Sequence, residues 1–273
     1  MHHKYMRTLF ALTLLSICTG LFQQAKGQSK EFGMQLGASN YLGDLAPSFA
    51  IGETHEHFGA FFKRNSHNGF FSWKFALNYG RISGDDQNFK ANNIRNLNFR
   101  STLLEGSFQL EFNFQKFFIG LRANDMSPYT FIGIGATYFN PQGELNGTWH
   151  DLRPLSTEGQ GLGGASGYSA FTPVIPMGGG IKWELAPQWN IGVFAGYRYT
   201  LTDYLDDVSG TYFDNATIFE RKGDIAAQLA DKSTGQIGYD GKQRGNPDRN
   251  DWYAFFGCTI SYWIPDRICY NFQ

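Results

Sequence analysis

Within residues 31–43 the chain places apolar side chains at alternate positions on one face: Phe32, Met34, Leu36 and Ala38. Glu31 and Gln35 stand between them. A period of two marks a strand whose two faces meet different surroundings. Seven further segments repeat the pattern. They are 55–64 (Phe58, Ala60, Phe62), 69–82 (Phe71, Trp73, Phe75, Leu77, Tyr79) and 99–114 (Leu104, Phe108, Leu110, Phe112, Phe114). Next come 128–140 (Ile132, Ile134, Ala136, Tyr138) and 174–185 (Ile175, Met177, Ile181, Trp183, Leu185). The last two are 189–201 (Trp189, Ile191, Val193, Ala195, Tyr197, Tyr199, Leu201) and 251–264 (Trp252, Ala254, Phe256, Cys258, Ile260, Tyr262, Ile264). Eight strands are therefore expected.

The opposite faces carry both signs of charge: Glu31, Lys63, Lys74, Glu105, Glu111, Lys182, Glu184 and Arg198. In a soluble sandwich these faces would meet water. Three features favour a membrane barrel instead. The apolar faces end in Trp or Tyr, as interfacial girdles do. The strands are long enough to cross a bilayer at a tilt. The links alternate short and long, which is the outer-membrane pattern. The stretches 65–69 and 185–188 are tight, 115–127 is of middle length, and the links near 141–173 and 202–250 are the longest. An even strand count puts both termini on the short-link side, the periplasm. The expected fold is all-β: an eight-stranded antiparallel outer-membrane barrel. Eight strands leave an interior that side chains fill, so no pore is expected. The eight charged residues above should pair as a lumen network, because unpaired buried charge is costly.

Composition supports this picture. Aromatics are 17% of the 273 residues and charged residues only 17%, below the usual quarter of a soluble domain. Mean hydropathy is nevertheless −0.35, as alternation would produce. Residues 1–27 have the form of a signal peptide: a basic start (Lys4, Arg7), the apolar run 9–22, and small Ala25 and Gly27 before the cleavage point. Residues 28–273 are then the barrel domain. Ile17 is too bulky beside Cys18 for a good lipoprotein site. The net charge of −1 falls to about −4 once Lys4, Arg7 and Lys26 are removed, which does not point to nucleic acid. Cys258 and Cys269 allow a disulfide, though Cys258 also suits an alternating strand as a small apolar residue.

Candidate chemistry is sparse. Asp85, Asp86, Asp203, Asp206 and Asp207 fall in links at one end, where a divalent ion would find oxygens. Solvated loops with Asx turns explain them more simply. Asn246, Asp248 and Asn250 space like part of a calcium loop, without the downstream Glu that completes one. Ser156 lies near His150 and Asp151, but there is no G-x-S-x-G. His55, His57 and His67 lack H-E-x-x-H. No enzyme activity, metal or cofactor is expected. A barrel that binds a ligand or acts on lipid is the alternative.

Several stretches carry a resemblance: LGASNYLGDL at 36–45, PYTFIGIGATYFNP at 128–141, RPLSTEGQG at 153–161, IPMGGGIKWEL at 175–185 and GVFAGYRYTLTDYLDDVSGTY at 192–212. With DWYAFFGCTISYWI at 251–264, they resemble PorG proteins of the type IX secretion system of Bacteroidota. The resemblance implies a non-enzymatic outer-membrane barrel that docks a periplasmic ring of a lipoprotein and a soluble subunit, PorK and PorN. On that expectation the periplasmic links carry the contact. Phe117, Phe118 and Arg122 are candidates in 115–127, and Arg267 and Tyr270 in the C-terminal segment, since aromatic and Arg side chains favour interface hot spots.

Overall fold

A computed structural model describes residues 29–89, 93–117, 126–235 and 237–264. Nine strands form in chain order: β1 (Ser29–Leu42), β2 (His55–Asn65), β3 (Phe71–Asp85), β4 (Asn98–Asn113), β5 (Met126–Leu145), β6 (Thr148–Asp151), β7 (Phe171–Ala186), β8 (Trp189–Thr200) and β9 (Trp252–Ile264). Two short helices follow β8: α1 (Asn215–Lys222) and α2 (Asp224–Ala230). Strands pair in the order β4-β3-β2-β1-β9-β8-β7-β5, and a β4–β5 ladder closes the ring. All pairs are antiparallel. The protein is a closed eight-stranded barrel of the outer-membrane type. β6 is not a stave; it folds back on the tip of β5 through a turn at Asn146 and Gly147, both at positive φ.

Alternation decides which way each side chain points. Met34, Leu36, Phe58, Leu77, Ile132 and Ile134 face outward and are half or more exposed. A contiguous apolar belt of this size is a surface for lipid. Aromatic pairs sit at both of its edges: Trp189 against Tyr262 at 5.1 Å near the short turns, and Tyr199 against Trp252 at 4.8 Å toward the long loops. On β8, Val193, Ala195 and Tyr197 are exposed while Asn190, Phe194 and Arg198 are buried. Cys258 lies exposed on the outer face. Cys269 and the signal segment lie outside the described residues.

Inside, small residues make room for large ones. A Cβ at Gly196 would lie 2.6 Å from the Phe131 ring, and one at Gly33 would overlap the Phe61 ring. Glycine is thus required where an aromatic side chain lies flat over a nearby stave: Phe61 over its cross-strand partner Gly33, and Phe131 across β7 onto β8. Toward the long-loop end, Tyr41, Leu45, Ile82, Phe99, Leu103, Phe139, Leu205 and Val208 form an apolar layer that joins barrel to loops.

Candidate functional site

Two polar centres occupy the interior, one within the strands and one above them. The lower centre is a cluster around Glu111. Lys63, Lys74 and Lys182 approach its carboxylate at 3.5, 3.8 and 3.6 Å, and Lys63 also reaches Glu31 at 3.2 Å. All five side chains are almost fully buried. Rings cover the ammonium groups: Phe61 lies 4.8 Å from Lys74, and Phe117 and Tyr129 each lie 5.1 Å from Lys182. Such cation–π contacts offset part of the lost hydration. Higher in the strands, Arg198 meets Glu105 at 3.2 Å and stacks on Phe255 at 4.4 Å. Tyr253 and Asn78 donate to the same Glu105 carboxylate at 2.7 and 3.0 Å. Glu184 lies on the inner side of β7, half-buried, near the short turns.

Phe117 requires a correction. It was expected at a docking surface, but its side chain is buried against Lys182 and its N–H donates to the Gly69 carbonyl. Desolvating the ammonium favours an aromatic face at that point, so Phe117 belongs to the plug. Phe118, Arg122, Arg267 and Tyr270 lie outside the described residues.

The upper centre is a cap built from four loops. Asp206 and Asp207, expected at an exposed end, are buried, and Asp203 is nearly so. Tyr41 Oη lies 2.7 Å from Asp206 and 2.6 Å from Asp251. Asp251 also accepts from the Leu205 N–H, and Asp206 from the Val208 N–H. Asp207 accepts from Tyr168 Oη and Thr157 Oγ1 at 2.5 Å each. Arg244 spans Glu158 at 3.1 Å and the Asp207 carbonyl at 2.7 Å. Glu158 in turn accepts from the Ser209 and Gly210 N–H groups. Arg95 grips Asp86 through two nitrogens, at 2.6 and 2.8 Å, and ties it to the carbonyls of Asp44 and Arg244. The STEGQG and TDYLDDVSGTY stretches are thus two halves of one hydrogen-bonded knot.

Burial raises the Asp203 carboxyl to about 8, with Asp44 and Glu158 adding repulsion. Asp207 is raised to about 6 by burial, against the pull of Arg244. Asp206 and Asp251 are raised well above the usual carboxylate range, first by burial and then by neighbouring carboxylates. Geometry agrees. Tyr41 has one proton and two carboxyl partners, so the second partner must bring a proton of its own.

The five acids considered for a divalent ion do not converge. Asp85 caps the Gln87 N–H, Asp86 holds Arg95, Asp206 and Asp207 face the partners above, and Asp203 is buried within reach of the Asp44 and Glu158 charges. Among the described residues no group of three His, Cys, Asp or Glu is placed to hold a metal ion. Asp248 donates its N–H to Asn246, and Asn250 donates to Tyr199 Oη. Ser156 is not assembled with an acid–base pair, because the Asp151 carboxylate is engaged by Asn140 and Gln142.

A contact not anticipated from sequence joins His55 Nε2 to Ser83 Oγ at 2.6 Å, with Glu53 also on the hydroxyl. Catalytic wiring needs the acid on the far ring nitrogen, to orient the imidazole. Here the carboxylate contacts the serine itself, so the trio works as a loop clamp.

A cleft of about 750 Å³ opens between the β5–β6 tip, the β3–β4 loop and the two helices. The helices and the β6 tip were also unanticipated. The Asn-Gly pair at 146–147 was the available signal for the hairpin.

Among protein families, one model matches residues 7–220. The chain belongs to the DUF6089 family. That family is described only as a domain of unknown function, and no curated protein matches the sequence. Similar solved structures include Neisserial surface protein A, at 9% identity and TM-score 0.39, covering 86% of this chain and 96% of that one. The Yersinia pestis attachment invasion locus protein Ail, in complex with the heparin analogue sucrose octasulfate, is 9% identical with TM-score 0.38, covering 87% and 98%. A major outer membrane protein from Thermus thermophilus is 10% identical with TM-score 0.39, covering 86% and 99%. These are likenesses of barrel to barrel.

Proposed function

We propose that this DUF6089 chain is a non-enzymatic outer-membrane component of the type IX secretion machinery, with both termini in the periplasm. Its role is to anchor a periplasmic lipoprotein ring of the PorK and PorN kind. The observation that carries an anchoring role is the filled interior. Three lysines converge on Glu111, rings pack over them, and a knotted cap closes the far end. Among the described residues the lumen is occupied by side chains, which suits a platform better than a conduit. What the barrel offers is a lipid-held platform with short links on one side. The secretion system itself rests on the resemblance of the segments at 153–161 and 192–212.

Purification of the tagged full chain in detergent from native outer membranes, with mass spectrometry of what accompanies it, tests the proposal. Recovery of the lipoprotein ring is expected. Its loss in a Phe118→Ala, Arg122→Ala double variant would place the dock in 115–127, and loss in Arg267→Ala, Tyr270→Ala would place it in the C-terminal segment. A folded barrel recovered with no periplasmic partner would overturn the secretion role.

A further inference from the structure

The cleft at the long-loop end has no part in a periplasmic dock. Its walls come from separate segments: Gln87, Asn96 and Asn98 from the β3–β4 region, Asn146 from the β5–β6 turn, and Asn215 and Gln228 from the helices. Its volume, about 750 Å³, is within the range of small-ligand sites.

Two features of the lining define a ligand class. First, the six residues just named are all carboxamides, which both donate and accept, as hydroxyl groups do. Gln87, Asn96, Asn98 and Gln228 use part of that capacity on one another and on Lys232, Glu144 and Asp224, while the Gln87 and Gln228 side-chain oxygens stay open and Asn215 Oδ1 is buried without a partner among the described residues. Second, the charged groups already have partners within the protein. Lys232 Nζ donates to Asn98 Oδ1 at 2.7 Å and to the Glu144 carbonyl at 2.8 Å. Asp231 accepts from Ser233 and Gly238, and Asp224 from Gln228. Glu144, Asp224 and Asp231 outnumber Lys232, so the walls repel phosphate and sulfate. The apolar share of the lining comes from Leu145, Ala216, Ala227 and Phe219. The Phe219 ring is 55% exposed on α1. An unpartnered aromatic face beside convergent amides suits a ring with hydroxyl edges and a C–H face.

We infer that this cleft is a binding site for a neutral saccharide, a chain segment of two or three sugar units presented from outside the cell. The inference needs the long loops to face the exterior. It does not need the secretion role, and it is read out without any ring subunit.

The test uses the full chain in detergent, with its fold checked by heat-dependent gel mobility. Maltotriose, cellotriose, chitotriose and mannotriose are titrated by saturation-transfer NMR, followed by an array of neutral glycans. At least one neutral glycan is expected to bind. Phe219→Ala should weaken binding about tenfold, the loss of one stacked ring, and Gln228→Ala should weaken it while gel mobility is unchanged. No binding across the array, binding unchanged in both variants, or preference for a lysine-rich peptide would each overturn the inference.

Discussion

The barrel interior and the cap solve the same problem, buried charge, in opposite ways. Within the strands, cations gather on carboxylates: Lys63, Lys74 and Lys182 on Glu111, and Arg198 on Glu105. In the cap, acids outnumber cations. Asp44, Asp86, Asp203, Asp206, Asp207, Asp251 and Glu158 have Arg95 on Asp86 and Arg244 on Glu158, and the remainder is met by Tyr hydroxyls, backbone N–H groups and protons. The difference follows from the backbone. Strand N–H groups are committed to neighbouring strands, so a carboxylate there must find a cation. Loop N–H groups are free, and aspartates collect them.

Removing Glu111 should break the comparison most severely. Glu111→Ala leaves three buried ammonium groups with Glu31 as the remaining carboxylate of the cluster. A loss of about 3–5 kcal/mol is expected, measured by urea unfolding of the detergent-solubilised barrel. The cap should be less costly to disturb. Glu158→Gln weakens the grip on Arg244 and on two N–H groups. About 1.5–3 kcal/mol of local stability should go, seen as protease cleavage in 213–250 while the barrel keeps its gel mobility. Tyr41→Phe removes one hydroxyl shared by two carboxyls and should cost about 1 kcal/mol, read by hydrogen exchange in the β8–β9 loop.

The last prediction separates the regions by pH. A carboxyl raised in the folded cap holds a proton that the unfolded chain has released. Its contribution is therefore complete below about pH 4 and fades as pH rises through about 6 for Asp207 and about 8 for Asp203. Protease resistance of the cap should fall gradually between pH 5 and 9. Asp203→Asn should flatten the upper part of that slope. A cap equally resistant throughout would show that these acids are ionised in the folded protein.

The two regions were also unequally legible in sequence. Each stave was marked by its own alternation, so β2 and β8 were placed to within a residue and the lumen charges fell out as the inward set. Alternation ends at the loops. Nothing in the spacing of Glu158, Asp207 and Arg244 says that they meet, because their approach depends on chain paths with no period. The acids therefore read equally as solvated turns, a compact cap with the neighbouring loops or a contact for an extracellular partner, and their density beside Tyr and Gly was the one hint of Asx and N–H bonding. Helices of 8 and 7 residues are too short to display a helical period, and Asp214, which caps α1 through the Thr217 N–H, was the usable sign. Phe117 was misassigned because an aromatic beside a basic residue looks the same whether it meets a partner or covers a lysine.

The seam that closes the ring has a consequence for biogenesis. β1 pairs with β9 along its length, from Lys30 opposite Ile264 to Leu42 opposite Trp252. The first stave made must therefore wait for the last. Until β9 arrives, β1 and β8 each present an open row of N–H and C=O groups, which a hydrocarbon environment does not tolerate. Insertion is thus tied to complete synthesis: a chain cut short before residue 252 has two raw edges and no way to join them.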